Sequence, residues 1–151
     1  MTADYTFINT IIDYVIDTID DNSVTLGNLN ATKEKDEHPA LAPNPPQAFV
    51  IPIGEGSDVM KSVQGGAANW HSIPIQILAV YKYHGQNQID TALRTTRNYG
   101  YICNGLFTGE NSVITDNAFV KSSELKVNYW MMTDYEIHSF LITLNIVAVN
   151  G

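Results

Sequence analysis

The hydrophobic pattern of the chain changes period near its centre. From Ile73 to His84 the residues alternate. Ile73, Ile75, Ile77, Ala79, Tyr81 and Tyr83 take one side, and Gln76, Leu78, Val80, Lys82 and His84 take the other. Strict alternation of β-branched and aromatic residues predicts a strand. His84-Gly85 is a stop. Beyond it, Ile89, Leu93, Thr96, Tyr99 or Gly100, Cys103, Leu106 and Phe107 recur at intervals of three and four, which predicts a helix over Asp90 to Leu106 with one apolar face. A strand that runs straight into a helix is half of a crossover unit, so the next strand is expected to run parallel to the first.

The flanks can be read the same way. Thr2 to Asp20 predicts a helix: Thr2 is a candidate N-cap, and Asp4 sits where the macrodipole favours acid. Its stripe is Phe7, Ile8, Ile11, Ile12, Val15, Ile16 and Ile19, and Asp13, Asp17, Asp20 and Asp21 occupy the opposite side. Isoleucine is only a moderate helix former, so this helix depends on burying its stripe. Gln47 to Ile53 predicts a short strand, with Pro52 placing it near an edge or at its end. Phe119 to Met132 predicts a strand carrying Leu125, Val127, Tyr129 and Met131 against Lys126, Asn128, Trp130 and Met132. Tyr135 to Val149 predicts another, with Phe140, Ile142, Leu144 and Ile146 against Ser139, Leu141, Thr143 and Asn145. Thr133-Asp134 between them is a turn candidate.

Three stretches read as connections. Ser23 to Pro46 combines the charge run Lys33-Glu34-Lys35-Asp36-Glu37 with Pro39, Pro43, Pro45 and Pro46, and it predicts a long surface loop. Gly54 to Asn69 is a second long loop, too rich in glycine for more than a turn of helix over Asp58 to Val63. Gly109 to Asn117 is a polar connection. The expected order is helix-strand-strand-helix-strand-strand, an α+β domain spanning residues 1–151 with a mostly antiparallel sheet and both helices on one face. The helix-facing side should hold Ile73, Ile75, Ile77, Leu125, Val127, Phe140, Ile142, Leu144 and Ile146. The second side should mix Gln76, Leu78, Val80, Lys82, Trp130, Leu141 and Thr143.

Composition narrows the function. The chain has 151 residues and 44% hydrophobic content, enough for one domain with a real core. No apolar run approaches the roughly 20 residues that span a bilayer. Met-Thr-Ala-Asp-Tyr opens the chain without a basic or apolar leader, so we expect a soluble protein retained where it is made. The net charge is −8, with 8 Lys and Arg against 16 Asp and Glu. Scattered cations on an acidic body do not make a nucleic-acid site, because counterion release needs several in one patch. A single cysteine, Cys103, excludes a disulfide framework and any multi-cysteine zinc site.

Candidate chemistry is sparse. His38, His71, His84 and His138 include no pair at metal-binding spacing, and the expected reading is structural or surface roles for all four. Asp13, Asp17, Asp20 and Asp21 could offer paired carboxylates to a cation, since i and i+4 share a helix face. No glycine-punctuated ligand loop follows them, so a solvated acidic face is the better reading. Cys103 falls on an apolar helix face, where cysteine acts as a small hydrophobe. The Gly54-Glu55-Gly56 stretch lacks the third glycine of a phosphate-binding fingerprint and reads as a turn. We expect no enzyme activity, no cofactor and no metal.

Four stretches together resemble the tail terminator (tail completion) proteins of long-tailed bacteriophages. They are the helix with Phe7-Ile8-Asn9-Thr10-Ile11-Ile12, the strand Gln47 to Ile53 with its long loop, Ile75-Gln76-Ile77-Leu78-Ala79-Val80-Tyr81 leading into the helix Asp90 to Leu106, and the C-terminal hairpin ending Leu141-Ile142-Thr143-Leu144-Asn145-Ile146. The resemblance covers most of the chain as a pattern of elements. The Pro-rich stretch Pro39 to Pro46 lies outside it. It implies a structural virion protein, assembled in the host cytoplasm, that forms a homohexameric ring on the tail tube, ends tube growth and presents a docking surface to the head-completion or neck protein. It implies no catalytic residue. DNA would pass through the ring, and an acidic bore would let it slide. A neck or head-completion connector of the same layout is one alternative. A small ligand-binding domain or enzyme with a pocket under residues 54–69 is another, from a different class.

The subunit interface expected from the sequence is the second sheet face, with Leu78, Val80, Trp130 and Leu141 clustered there and left open in a monomer. The two long loops should be cut first in limited proteolysis. Initial cleavage inside Ile73 to Phe107 would contradict the layout.

Overall fold

The alternation around Ile75 folds into one of the two longest strands of the sheet. The computed structural model describes residues 6–33, 46–52, 70–84, 89–131 and 135–149. In chain order these form helix α1 (Thr6–Asp21), a 3-10 turn (Val24–Leu26), strands β1 (Asn30–Lys33), β2 (Gln47–Pro52) and β3 (Trp70–His84), helix α2 (Ile89–Gly105), a second 3-10 turn (Gly109–Asn111), and strands β4 (Val113–Thr115), β5 (Ala118–Met131) and β6 (Tyr135–Val149). The six strands form one sheet in the order β1-β2-β3-β6-β5-β4. Only the β1–β2 pairing is parallel; the others are antiparallel. The chain is an α+β domain with a mostly antiparallel sheet.

Parity along the strands sets which residues enter the core. In the β3–β6 ladder Ile73 pairs with Ile146, Ile75 with Leu144, Ile77 with Ile142 and Ala79 with Phe140. All eight are buried, in one cluster that also contains Ile11, Ile12, Val15 and Ile19 of α1 and Cys103 of α2, with Phe107 just beyond α2. Leu125 and Val127 of β5 pack against it. The nine residues expected on the helix-facing side are therefore all in or against this core. Phe7, Thr2 and Asp4 fall outside the described side chains.

The helix ends are closed by side chains rather than by charge. Neither helix has a basic residue in its last turn. Instead the Asn22 amide donates to the Thr18 carbonyl at 2.8 Å, and the Asn111 amide donates to the Gly105 carbonyl at 3.0 Å, so carbonyls left open by the helix are satisfied. After α1 the chain turns through Gly27, whose φ of 75° suits glycine. A Cβ there would also stand 2.9 Å from the Tyr99 ring, so shape and backbone require glycine together.

Four expectations change. First, Ser23 to Pro46 is not a loop throughout. Ser23 to Lys33 holds a 3-10 turn and β1, because Leu26 and Leu29 are buried and the Ala31 amide donates to Asp20 Oδ1 at 2.9 Å, stitching β1 to the end of α1. Early cleavage is accordingly not expected there, while residues 34–45 and 53–69 lie outside the described residues. Second, the choice left open for Pro52 closes: it is the last residue of β2 and not the mark of an edge strand, since β1 covers β2 as far as Val50 and Pro52 sits just past that ladder, where its missing N–H costs no pairing to β1. Third, Gly109 to Asn117 contains β4, turned onto β5 through Asp116-Asn117, with the Asn117 amide donating to Thr115 Oγ1. Fourth, the long strand expected after α2, β5, keeps the expected direction but does not lie beside β3. β5 runs in the same direction as β3, but β6 lies between them, so the crossover is split by the final strand.

A β-bulge between Val120 and Ser122 makes β5 fit. Its buried residues change parity along the strand: Ala118 and Val120 are even, Leu125 and Val127 odd. One extra residue switches the face, so both halves of an irregularly patterned strand turn their apolar side inward.

Gly100 lets α2 approach the sheet. A Cβ there would meet Leu125 Cδ1 at 2.9 Å and Phe140 Cβ at 3.3 Å, whereas at Gly105 it would meet nothing within 4 Å. Gly100→Val should therefore cost about 1–3 kcal/mol by overpacking. Gly105→Ala should instead stabilise by about 0.4–1 kcal/mol through the unfolded state. Urea denaturation of the two variants checks both signs.

Candidate functional site

On the second face of the sheet, β2, β3 and β6 bring together a small apolar cluster. Gln47 pairs with Val80 and Phe49 with Leu78, while Lys82 pairs with Ile137. Phe49, Val80 and Ile137 are therefore diagonal neighbours, close enough for large side chains to touch. They are 3%, 1% and 5% exposed, with Ile51, Leu78 and Tyr135 packed around them. Lys82 Nζ lies 4.2 Å from the centre of the Tyr135 ring, adding a cation–π contact on this face.

This changes the expected interface. Val80 is not open in the single chain; its diagonal neighbours already bury it. Leu78 and Leu141 do face each other across the β3–β6 ladder, and both are half-buried. Lys126 flanks Leu141 on the other side. Trp130 is in register with Ile137, which puts its backbone about 14 Å along β6 from Leu141 at about 3.4 Å per residue. Its side chain is outside those described. The face keeps an apolar middle at Leu78 and Leu141, narrower than the sequence suggested.

The inward side of β6 carries a polar pair: His138, expected in a structural or surface role, and Glu136, for which there was no expectation. His138 and Glu136 alternate with Ile137 on β6, so they share the inward parity of Phe140 and Ile142. Both are buried, and His138 Nε2 stands 3.1 Å from Glu136 Oε1. With the carboxylate as acceptor, Nε2–H donates. His138 Nδ1 and Glu136 Oε2 are two of four buried side-chain polar atoms among the described residues that have no partner, the others being Gln47 Oε1 and Asn104 Oδ1. Aromatic rings enclose the imidazole: Tyr129 stacks at 5.4 Å and Tyr83 meets it edge-on at 5.2 Å. The expectation of a structural role for His138 fits this enclosure. Glu136 was the residue missed, and its signal was parity alone. His71 and His84 lie at opposite ends of β3, and residue 38 is outside the described range.

Above this pair, tyrosines tie the sheet to the helices. The Tyr81 hydroxyl donates to the Leu26 carbonyl at 2.8 Å, and the Tyr83 hydroxyl shares a 3.2 Å hydrogen bond with Thr96 of α2. Burial pushes the Tyr81 phenol well above its ordinary value, and burial also raises Tyr83, partly offset by the Thr96 contact. Burial raises the Cys103 thiol to about 12, so it stays protonated at neutral pH and is a poor nucleophile or metal ligand. Among the described residues no group of three or more His, Cys, Asp or Glu side chains is placed to hold a metal ion.

The outer face of α2 is different in character. Arg94, Thr95, Arg97, Asn98 and Tyr101 line a shallow depression of about 370 Å³, and Tyr101 is 62% exposed. Across the molecule's surface, Asp13, Asp17, Asp20 and Asp21 are all exposed on α1, as their spacing predicted. Among the described residues no helix is long and apolar enough to cross a membrane.

No protein-family model matches the chain, and no curated protein matches its sequence.

The buried pair sets a test. Glu136→Leu alone strands the imidazole N–H in an apolar enclosure and should cost about 1–3 kcal/mol. Adding His138→Phe, which keeps a ring between Tyr83 and Tyr129, should recover most of that loss. Chemical denaturation of the single and double variants should thus be strongly non-additive.

Proposed function

We propose that this chain is a structural virion protein of the tail terminator type. It forms a homohexameric ring on the end of a phage tail tube, stops tube polymerisation and offers a joining surface to a head-completion or neck protein. In this reading it works by assembly, not catalysis, with both helices covering one face of the sheet and the other face turned toward neighbours.

One observation carries the reading. The four stretches that bear the resemblance lie on α1, on β2, on β3 with α2, and on the β5–β6 hairpin, within a mixed α+β chain that also holds β1 and β4. The split crossover, with β6 between β3 and β5, places β6 beside β3 at the centre of the sheet and β5 next to the edge strand β4. The half-buried Leu78–Leu141 pair supports the reading further, since a ring protein needs apolar surface that it does not cover itself.

The alternative of a neck or head-completion connector shares the same elements and differs in its partner. Light scattering and binding to purified tail tubes separate the readings. A closed oligomer that caps tubes and halts their growth supports the terminator. A closed oligomer that ignores tubes but binds portal or head vertices supports the connector. A chain that stays monomeric at high concentration and with tubes present overturns both.

A further inference from the structure

We propose that the outer face of α2, centred on Arg94, Arg97 and Tyr101, docks on the acidic face of α1 in a second copy of this chain. The inference rests on the ring reading above and assigns its subunit contact.

The cationic partner is unusual for this chain. The net charge is −8, and the only two arginines both fall on one exposed stripe of α2. Arg94 pairs with Asp90 one turn earlier at 2.6 Å, while Arg97 makes no ion pair with a described residue. Exposed lysines elsewhere are strongly hydrated point charges; arginine beside tyrosine is the combination that anchors protein interfaces. Arg94 to Tyr101 covers about 10 Å of helix at 1.5 Å per residue.

The acidic partner has a matching form. Helix α1 contains no Lys or Arg, and Asp13, Asp17, Asp20 and Asp21 project from one side over about 12 Å. Asp20 is engaged by the Ala31 amide. Asp17 and Asp21 lie at the C-terminal end of the helix, where the macrodipole is negative and acid is unfavourable. Nothing basic in the last turn offsets them. An arginine brought by another molecule relieves both the mutual repulsion and the conflict with the dipole.

Among the described residues no ion pair within one copy joins Arg94 or Arg97 to Asp17 or Asp21, so both stripes remain to be matched. Each copy gives its α2 face to one neighbour and receives an α2 face on its α1. That contact is heterologous, and it builds a ring when the rotation closes. A helix-on-helix contact is small beside the roughly 800 Å² per partner of a stable pair. Ring closure compensates, since every copy is held at two contacts and a single break does not release it.

The test uses charge reversal with light scattering across a concentration series. Arg94→Glu with Arg97→Glu, and separately Asp17→Arg with Asp21→Arg, should each raise the concentration for half-assembly about a hundredfold, because like charges meet across the contact. Circular dichroism should be unchanged, as all four positions are exposed. The variant carrying all four changes should assemble again, and an equimolar mixture of the two double variants should form alternating rings. The milder Arg94→Gln with Arg97→Gln should weaken assembly less and reduce its salt dependence. If the wild type assembles but neither double variant loses mass, the contact lies elsewhere and the ring reading stands without it. If a double variant dissociates and the fourfold variant fails to reassemble, the α2 face serves a different partner and the inference falls. A monomeric wild type removes the ring reading and this inference together.

Discussion

The ladder between β3 and β6 is the constraint on which the rest of the molecule depends. It runs without a register break from the Trp70–Val149 pair to the His84–Tyr135 pair. Side chains alternate along it, so one register decides the environment of every residue on both strands. A slip by one position would drive Gln76, Lys82 and Asn145 into the core and turn out Ile75, Ile77 and Leu144. The isoleucine-rich inward row makes that slip prohibitive. Ile11, Ile12, Val15 and Ile19 of α1 and Cys103 of α2 join the core cluster that this inward row forms, and Gly100 lets α2 come close to it.

The same ladder creates the molecule's two unusual environments. On the inward side, parity carries His138 and Glu136 into a place otherwise filled by tyrosine rings, and they satisfy one another only in part. On the outward side, it aligns Leu78 with Leu141 and lets Phe49, Val80 and Ile137 close over each other. A sheet with long central strands thus has an outer face that is neither solvated nor fully covered. That property suits a protein that completes itself by assembly.

Electrostatics adds direction to that picture. An acidic chain with its two arginines on one helix and a run of carboxylates on another is polar in the sense that matters for head-to-tail association. In the proposed ring the apolar sheet face would supply area, while the helix charges would select which neighbour and which orientation.

The sequence alone determined the strands with clean alternation and the helices with wide stripes. β3, α2 and β6 were legible because local pattern and burial agree there, and Cys103 was legible as a core residue because it shares a helix face with Leu106 and Phe107, whereas the burial of His138 was decided by the folded sheet. β1 and β4 were not legible. They are four and three residues long, and they exist because long neighbouring strands offer them a ladder to extend. The bulge in β5 was written in the parity change from Val120 to Leu125, but only the paired strand fixes where the extra residue goes. The order of the strands was decided by tertiary structure, since β6 takes the slot between β3 and β5 that a local reading would have closed. Val80 shows the same division most plainly. Its outward direction follows from the sequence, but its burial follows from Phe49 and Ile137, which lie far away in the chain and meet it only across the folded sheet.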